Sequence, residues 1–142
     1  MTTLKMLLKG KGHDVWSVRP DDTVLDAIKV LAEKDIGALL VIEDDKPVGI
    51  FTERDYARKV YLKGKSSLET AVRDIMVAPV VCARPDQTIE ECMAVMTEKR
   101  FRHLPIMDGD ELVGMVSIGD LVKSVIADQQ FTIEQLEQFI FM

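Results

Sequence analysis

The segment Val48-Gly49-Ile50-Phe51-Thr52-Glu53-Arg54-Asp55 returns 65 positions later as Val113-Gly114-Met115-Val116-Ser117-Ile118-Gly119-Asp120. Moving outward at the same offset, Leu39 meets Leu104, Glu33-Lys34 meets Glu98-Lys99, Thr23 meets Thr88, and Arg19-Pro20-Asp21 meets Arg84-Pro85-Asp86. Arg19 to Val60 therefore aligns with Arg84 to Val125 without a gap. Each copy alone is too small to bury a sizeable core, so the two are expected to share one. The period exceeds the usual solenoid repeats and there are two copies, which favours a closed pair with a pseudo-two-fold cleft over an open array.

Each copy reads strand, helix, strand, strand, helix. In the first, Val15 to Val18 is an expected strand, Pro20-Asp21-Asp22 breaks it, and Thr23 with Asp26 has the form of a helix capping box. Val24, Ala27, Ile28 and Leu31 then recur at helical spacing. Ala38 to Ile42 is a continuously apolar, buried-type strand. Glu43 to Lys46 turns into the return strand Val48 to Phe51, and Thr52 opens the second helix. The second copy repeats the order with a strand at Val80 to Cys82, a helix from Thr88, strands at Leu104 to Met107 and Leu112 to Val116, and a helix from Ser117. Leu62 to Ser67 is the expected linker and Leu68 to Met76 a short connecting helix. The class is α+β, with helical segments flanking the repeats at both ends. Thr132-Ile133-Glu134-Gln135 reads as a second capping box that opens a separate tail helix. Its apolar face, Ile133, Leu136 and Ile140 with Phe139 beside it, either packs on its own domain or meets a partner, and Phe141-Met142 at the end adds to the second reading.

Composition narrows the classes of function. The 142 residues carry a net charge of −6, against the basic face of a general nucleic-acid binder. Cys82 and Cys92 make no disulfide framework. The longest apolar run, Ala38 to Ile42, cannot span a membrane. Met1 to Gly12 lacks the apolar core of a secretory signal, so a cytoplasmic location is the expectation.

The repeated motif has two readings. A hydroxyl followed three residues later by an acid caps a helix. A helix start also attracts anions, and an Asp there can accept from both hydroxyls of a vicinal diol such as a ribose. One basic constellation is present in a single copy. Arg102-His103 precedes the middle strand of the second, offering a guanidinium fork and an imidazole to a phosphate, where the first has Gly37-Ala38. Two nucleotide half-sites would therefore be unequal. No nucleophile accompanies His103 and Asp120, Cys92 reads as a small core residue, and His13, His103 and the cysteines lack metal-ligand spacing, so neither catalysis nor a metal is expected.

The repeat order, the Gly-hydrophobic-hydrophobic-Thr/Ser-x-x-Asp motif and the Arg102-His103-Leu104-Pro105 strand entry resemble paired CBS (cystathionine-β-synthase) domains. The resemblance covers about Leu8 to Ala127 and implies one repeat over 8–67, a second over 75–131 and a helical tail over 132–142, packed as a pseudo-two-fold pair. It implies a regulatory module that binds AMP, ADP, ATP, NAD or S-adenosyl methionine without an obligatory cofactor, and that forms a disc-like homodimer. It places ribose on Asp120 with Ser117 and Met115 nearby, phosphate on Arg102 and His103, and adenine against Lys11, Trp16, Ile36 and Gly37. A second, weaker site would use Asp55, Thr52, Arg54, Met76, Val81 and Phe101, with Arg54 or Arg58 partly replacing the missing basic pair. Trp16 has a plainer reading as a core residue. The alternative function is a ligand-independent dimeric scaffold that docks a protein partner through its tail.

Overall fold

Apolar patterning of the first copy produces the unit Asp14–Cys82 with Gly109–Leu112, in a computed structural model that describes residues 1–141. Its sheet has the order β1-β2-β3, from Ser17–Val18, Ala38–Glu43 and Lys46–Thr52. β1 pairs parallel to β2, and β2 pairs antiparallel to β3 through a turn with Asp44 and Asp45 both at positive φ. Helix α2 (Val24–Lys34) starts at Thr23, whose hydroxyl accepts from Asp26 N, and its buried face is Val24, Ala27 and Leu31. These residues join Leu39, Val41, Phe51, Val60, Val72 and Ile75 in one core. After β3 comes a single α-turn, α3 (Glu53–Asp55), which continues as a π-helical stretch over Tyr56–Tyr61.

The second unit comprises Met1–His13, Ala83–Asp108 and the chain from Val113 onward. Helix α1 (Leu4–Lys11) precedes α4 (Ile89–Lys99), the hairpin β4 (His103–Asp108) and β5 (Glu111–Ser117), and the long α5 (Ile118–Ile140). Its buried hydrophobic residues are Leu4, Leu8, Ala83, Ile89, Cys92, Met96, Leu104, Ile106, Val116 and Leu121.

The two units are wired alike, from different parts of the chain. In the first, Thr70 O accepts from Val24 N, Val72 N donates to Asp22 O and Arg73 N to Pro20 O. In the second, Thr2 O accepts from Ile89 N, Leu4 N donates to Gln87 O and Lys5 N to Pro85 O. Residues 2–8 thus do for the second copy what 70–76 do for the first, at an offset of 68 (72 − 4). The glycines complete the match. A β-carbon on Gly49 would overlap Met76, and one on Gly114 would come within 2.7 Å of Leu8. The segment from Leu8 to Lys11, expected inside the first repeat, groups with the second unit.

Three expected elements differ. The short strand of the second copy, expected at Val80 to Cys82, is instead one parallel bridge between Ala83 and Ile106, the equivalent of Val18 with Val41. The connecting helix at Leu68 to Met76 shrinks to a 3-10 turn over Val72–Asp74, because Ser67 O and Thr70 O accept from the first amides of α2 and Ala71 bridges Thr23. Thr132 does not open a new helix. It lies inside an unbroken α5 and its hydroxyl donates to Asp128 O at 3.0 Å. Capping-box spacing inside a helix is ordinary when Thr back-bonds to the preceding turn. Met142 of the expected tail lies outside the described residues. Among the described residues, no helix is long and apolar enough to cross a membrane.

Candidate functional site

β5 delivers Ser117 to the N-cap of α5, and the capping box forms in full. Asp120 N donates to Ser117 Oγ at 3.1 Å and Ser117 N donates to Asp120 Oδ2 at 2.8 Å. Gly12, at φ 100°, ends α1 just after Lys11. The Lys11 ammonium donates to Asp120 Oδ2 at 2.6 Å and to Met115 O at 2.5 Å. His13 Nδ1 lies 2.7 Å from Val113 O, a second tie between the segment after α1 and β5. Among the described residues, the hydrogen bonds to the Asp120 carboxylate all fall on Oδ2, and the side chain keeps 22% of its exposure.

The electrostatics follow from this arrangement. Burial opposes ionisation of Asp120, but the hydrogen bonds from Lys11 and Ser117, with the Lys11 charge, outweigh it and hold the carboxyl below its ordinary range. His103 opens β4 and is pushed down from 6.5, first by burial and then by the charge of Lys11, with Arg102 adding to the effect and Asp120 opposing it. The imidazole is therefore neutral at pH 7. Arg102 is exposed at the strand entry, and its carbonyl accepts from Ile118 N at 2.9 Å. Lys11, Arg102, His103, Met115, Ser117 and Asp120 all belong to this one unit.

The first copy builds the same backbone and different chemistry. Gly37 O accepts from Glu53 N at 3.0 Å, matching the Arg102–Ile118 bond. Thr52 and Asp55 form the equivalent capping box. Asp55 is buried, Thr52 N and Oγ1 both donate to its Oδ2, and the Lys59 ammonium sits 3.2 Å from its Oδ1. Lys59 also donates to Ile75 O at 3.0 Å. Both oxygens of Asp55 are thus engaged within the unit. Arg54 and Arg58, the expected substitutes for the basic pair, are exposed, and the cation that reaches Asp55 is Lys59.

The Lys11 ammonium, expected beside adenine, pairs with the motif carboxylate of its own unit. Trp16, Ile36 and Gly37 belong to the other unit. Trp16 is not a core residue. The residue is 41% exposed, and its ring carries the Lys34 ammonium 4.2 Å from the centroid. Met76 and Val81 are partly buried in the unit of Asp55, whereas Phe101 belongs to that of Asp120. Lys59 is the residue that sequence reasoning missed, although four-residue spacing after Asp55 is the known signature of a helical ion pair. Cys92 is buried, which pushes its thiol up to about 11, as befits a core residue. Among the described residues, no cluster of three His, Cys, Asp or Glu could hold a metal ion.

The family model for the CBS domain matches residues 12–62 and 72–127. The chain is similar to CBS domain-containing protein CBSX3 of Arabidopsis thaliana, a mitochondrial protein, at 36% identity over 98% of this chain and 72% of that one. A solved protein with CBS domains from Burkholderia ambifaria is 57% identical, covers 93% of this chain and 99% of its own, and has a TM-score of 0.85. A CBS domain pair solved in complex with 5-methylthioadenosine and S-adenosyl-L-methionine has a TM-score of 0.79 over 90% of this chain and 98% of that one. At 22% identity that likeness concerns the fold.

Proposed function

Because the chain belongs to the CBS-domain family and carries both copies, we propose that it is a regulatory module, without catalysis of its own, that takes an adenosine-containing ligand at the Asp120 half-site. One observation carries the choice of half-site. Asp120 keeps Oδ1 for a ligand hydroxyl, while both oxygens of Asp55 are committed to Thr52 and Lys59. A ribose diol needs an acceptor of this kind at the head of a helix.

Lys11 gives the site a second function. An ammonium has three N–H donors, and two are used on Met115 O and Asp120 Oδ2. The third is available to a phosphate, with Arg102 and neutral His103 as further donors. A family relative of the same fold bound to adenosine derivatives supports the ligand class. The response follows from differential affinity. Ligand contacts with Lys11 bear on α1, so binding biases the packing of the N-terminal helix.

Titration calorimetry against AMP, ADP, ATP, NAD and S-adenosyl methionine tests the reading. At least one is expected to bind below millimolar concentration. No heat from any of them at that level removes the sensor function.

A further inference from the structure

His103 stands at the head of β4 among three charged groups of its own unit. Lys11 comes from the end of α1, Arg102 precedes it in the chain, and Asp120 acts on it from the first turn of α5. α4 and β5, which complete the unit, add no charge that acts on it. One positive charge is in excess. Asp120 pairs with Lys11, and among the described residues Arg102 has no carboxylate partner.

The imidazole itself is half-buried and makes no hydrogen bond among the described residues. Its ring nitrogens still reach solvent, since every fully buried side-chain nitrogen or oxygen described has a partner. The ring is thus kept neutral by its surroundings and not by a bond of its own. Burial and the two cations oppose a proton there, and only Asp120, already shared with Lys11, favours one. An arriving anion reverses this balance. A phosphate held by Lys11 and Arg102 cancels their charge and offers the imidazole an acceptor, so the charged ring becomes the favoured form.

We propose that the Asp120 half-site takes up a proton on His103 together with its phosphate, so that affinity for a phosphate-bearing ligand rises as pH falls. Resting on the adenosine-ligand reading of that half-site, this adds its regulation. The first copy has Ala38 in place of His103 and carries no such linkage. The coupling has one size seen from either side: what phosphate adds to the proton affinity of His103, a proton adds to the affinity for phosphate. His103 titrates below 6.5 in the free protein and higher with the anion bound. Affinity therefore begins to rise as pH falls through the bound value and levels off below the free one.

The chain has two histidines, so proton NMR follows His103 and His13 as two imidazole titrations, assigned with His103→Gln. Under saturating AMP the His103 midpoint is expected to move up by about one pH unit or more, the low end of what one close opposite charge does. Saturating adenosine, which lacks the phosphate, should leave it in place. Calorimetry with AMP reads the same coupling from the other side. The phosphate of AMP gains its own proton near pH ~6 and weakens binding to both proteins alike, so the wild type is compared with His103→Gln. The ratio of the two affinities, wild type over variant, should rise as pH is lowered from about 8 toward 5, by about tenfold at its limit for a one-unit shift. A His103 midpoint unmoved by bound AMP overturns the proposal and leaves AMP binding standing. So does a midpoint moved equally by adenosine, or an affinity ratio that does not change with pH. Absence of AMP binding at every pH is instead the failure of the phosphate-bearing half-site, and takes the proposal with it.

Discussion

Lys11 and Lys59 reach the two motif carboxylates from different directions along the chain. Lys59 comes from one turn later in the same helical segment and closes a local pair on a buried Asp55. Lys11 comes from the far end of the sequence and leaves Asp120 with an open oxygen. His103 adds a titration to this group. Its folded-state value lies below 6.5, so between those two values the unfolded chain binds the proton more readily. Stability is therefore flat above 6.5 and falls as pH drops through this window. The depressed Asp120 has the opposite chemistry and a lower window. Its contribution is present above 3.8 and is lost as pH falls through its folded value. Melting temperatures from pH 8 to 5 should decline on the acid side, and His103→Gln should flatten that decline. Identical slopes for the two proteins would remove His103 as the cause. At this scale the sequence showed the hydroxyls, the acids and the missing basic pair of the first copy directly. It did not show where Lys11 goes, because that contact spans 109 positions.

Among the elements, α1 is the one whose place the repeat concealed. The gapless alignment runs at an offset of 65, whereas α1 and its counterpart at Val72–Met76 are related at 68. Within the helix only residue character survives, Leu4 with Val72, Lys5 with Arg73, Leu7 with Ile75 and Leu8 with Met76, and the one identity, Thr2 with Thr70, precedes it. The glycine contacts do mark it. Gly114→Ala would drive a β-carbon into Leu8, and overpacking of this kind costs about 1–3 kcal/mol. Combining it with Leu8→Ala should cost less than the sum of the two changes, because the smaller side chain makes room. Chemical denaturation of the three variants measures this, and strict additivity would show that α1 does not rest on β5 at Gly114. α5 teaches the reverse lesson. Ser117 and Asp120 announced its start correctly, but Thr132 and Gln135 imitated a second start, since local spacing carries no information on whether the preceding turn is already helical.

At the scale of the whole chain, a duplicated scaffold carries one motif carboxylate with an open oxygen and one with both oxygens engaged. The repeat fixes matching strands, helix starts and even matching backbone bonds at Arg102 and Gly37. Divergence is concentrated where it changes chemistry, in a basic pair present once and in a lysine supplied locally to one acid and remotely to the other. Family membership accounts for the scaffold, and side-chain contacts within each unit account for the inequality. The most direct test is calorimetric titration of AMP into the wild type, Asp120→Asn and Asp55→Asn. Asparagine keeps a capping oxygen at either helix start while removing the charge. Loss of a charged acceptor costs about 1.5–3 kcal/mol, so Asp120→Asn should weaken the tighter binding event by roughly tenfold or more. Asp55→Asn should leave that event within about twofold, a change of under ~0.5 kcal/mol. Equal losses from the two substitutions, or a loss confined to Asp55→Asn, would contradict the assignment of the ligand to Asp120.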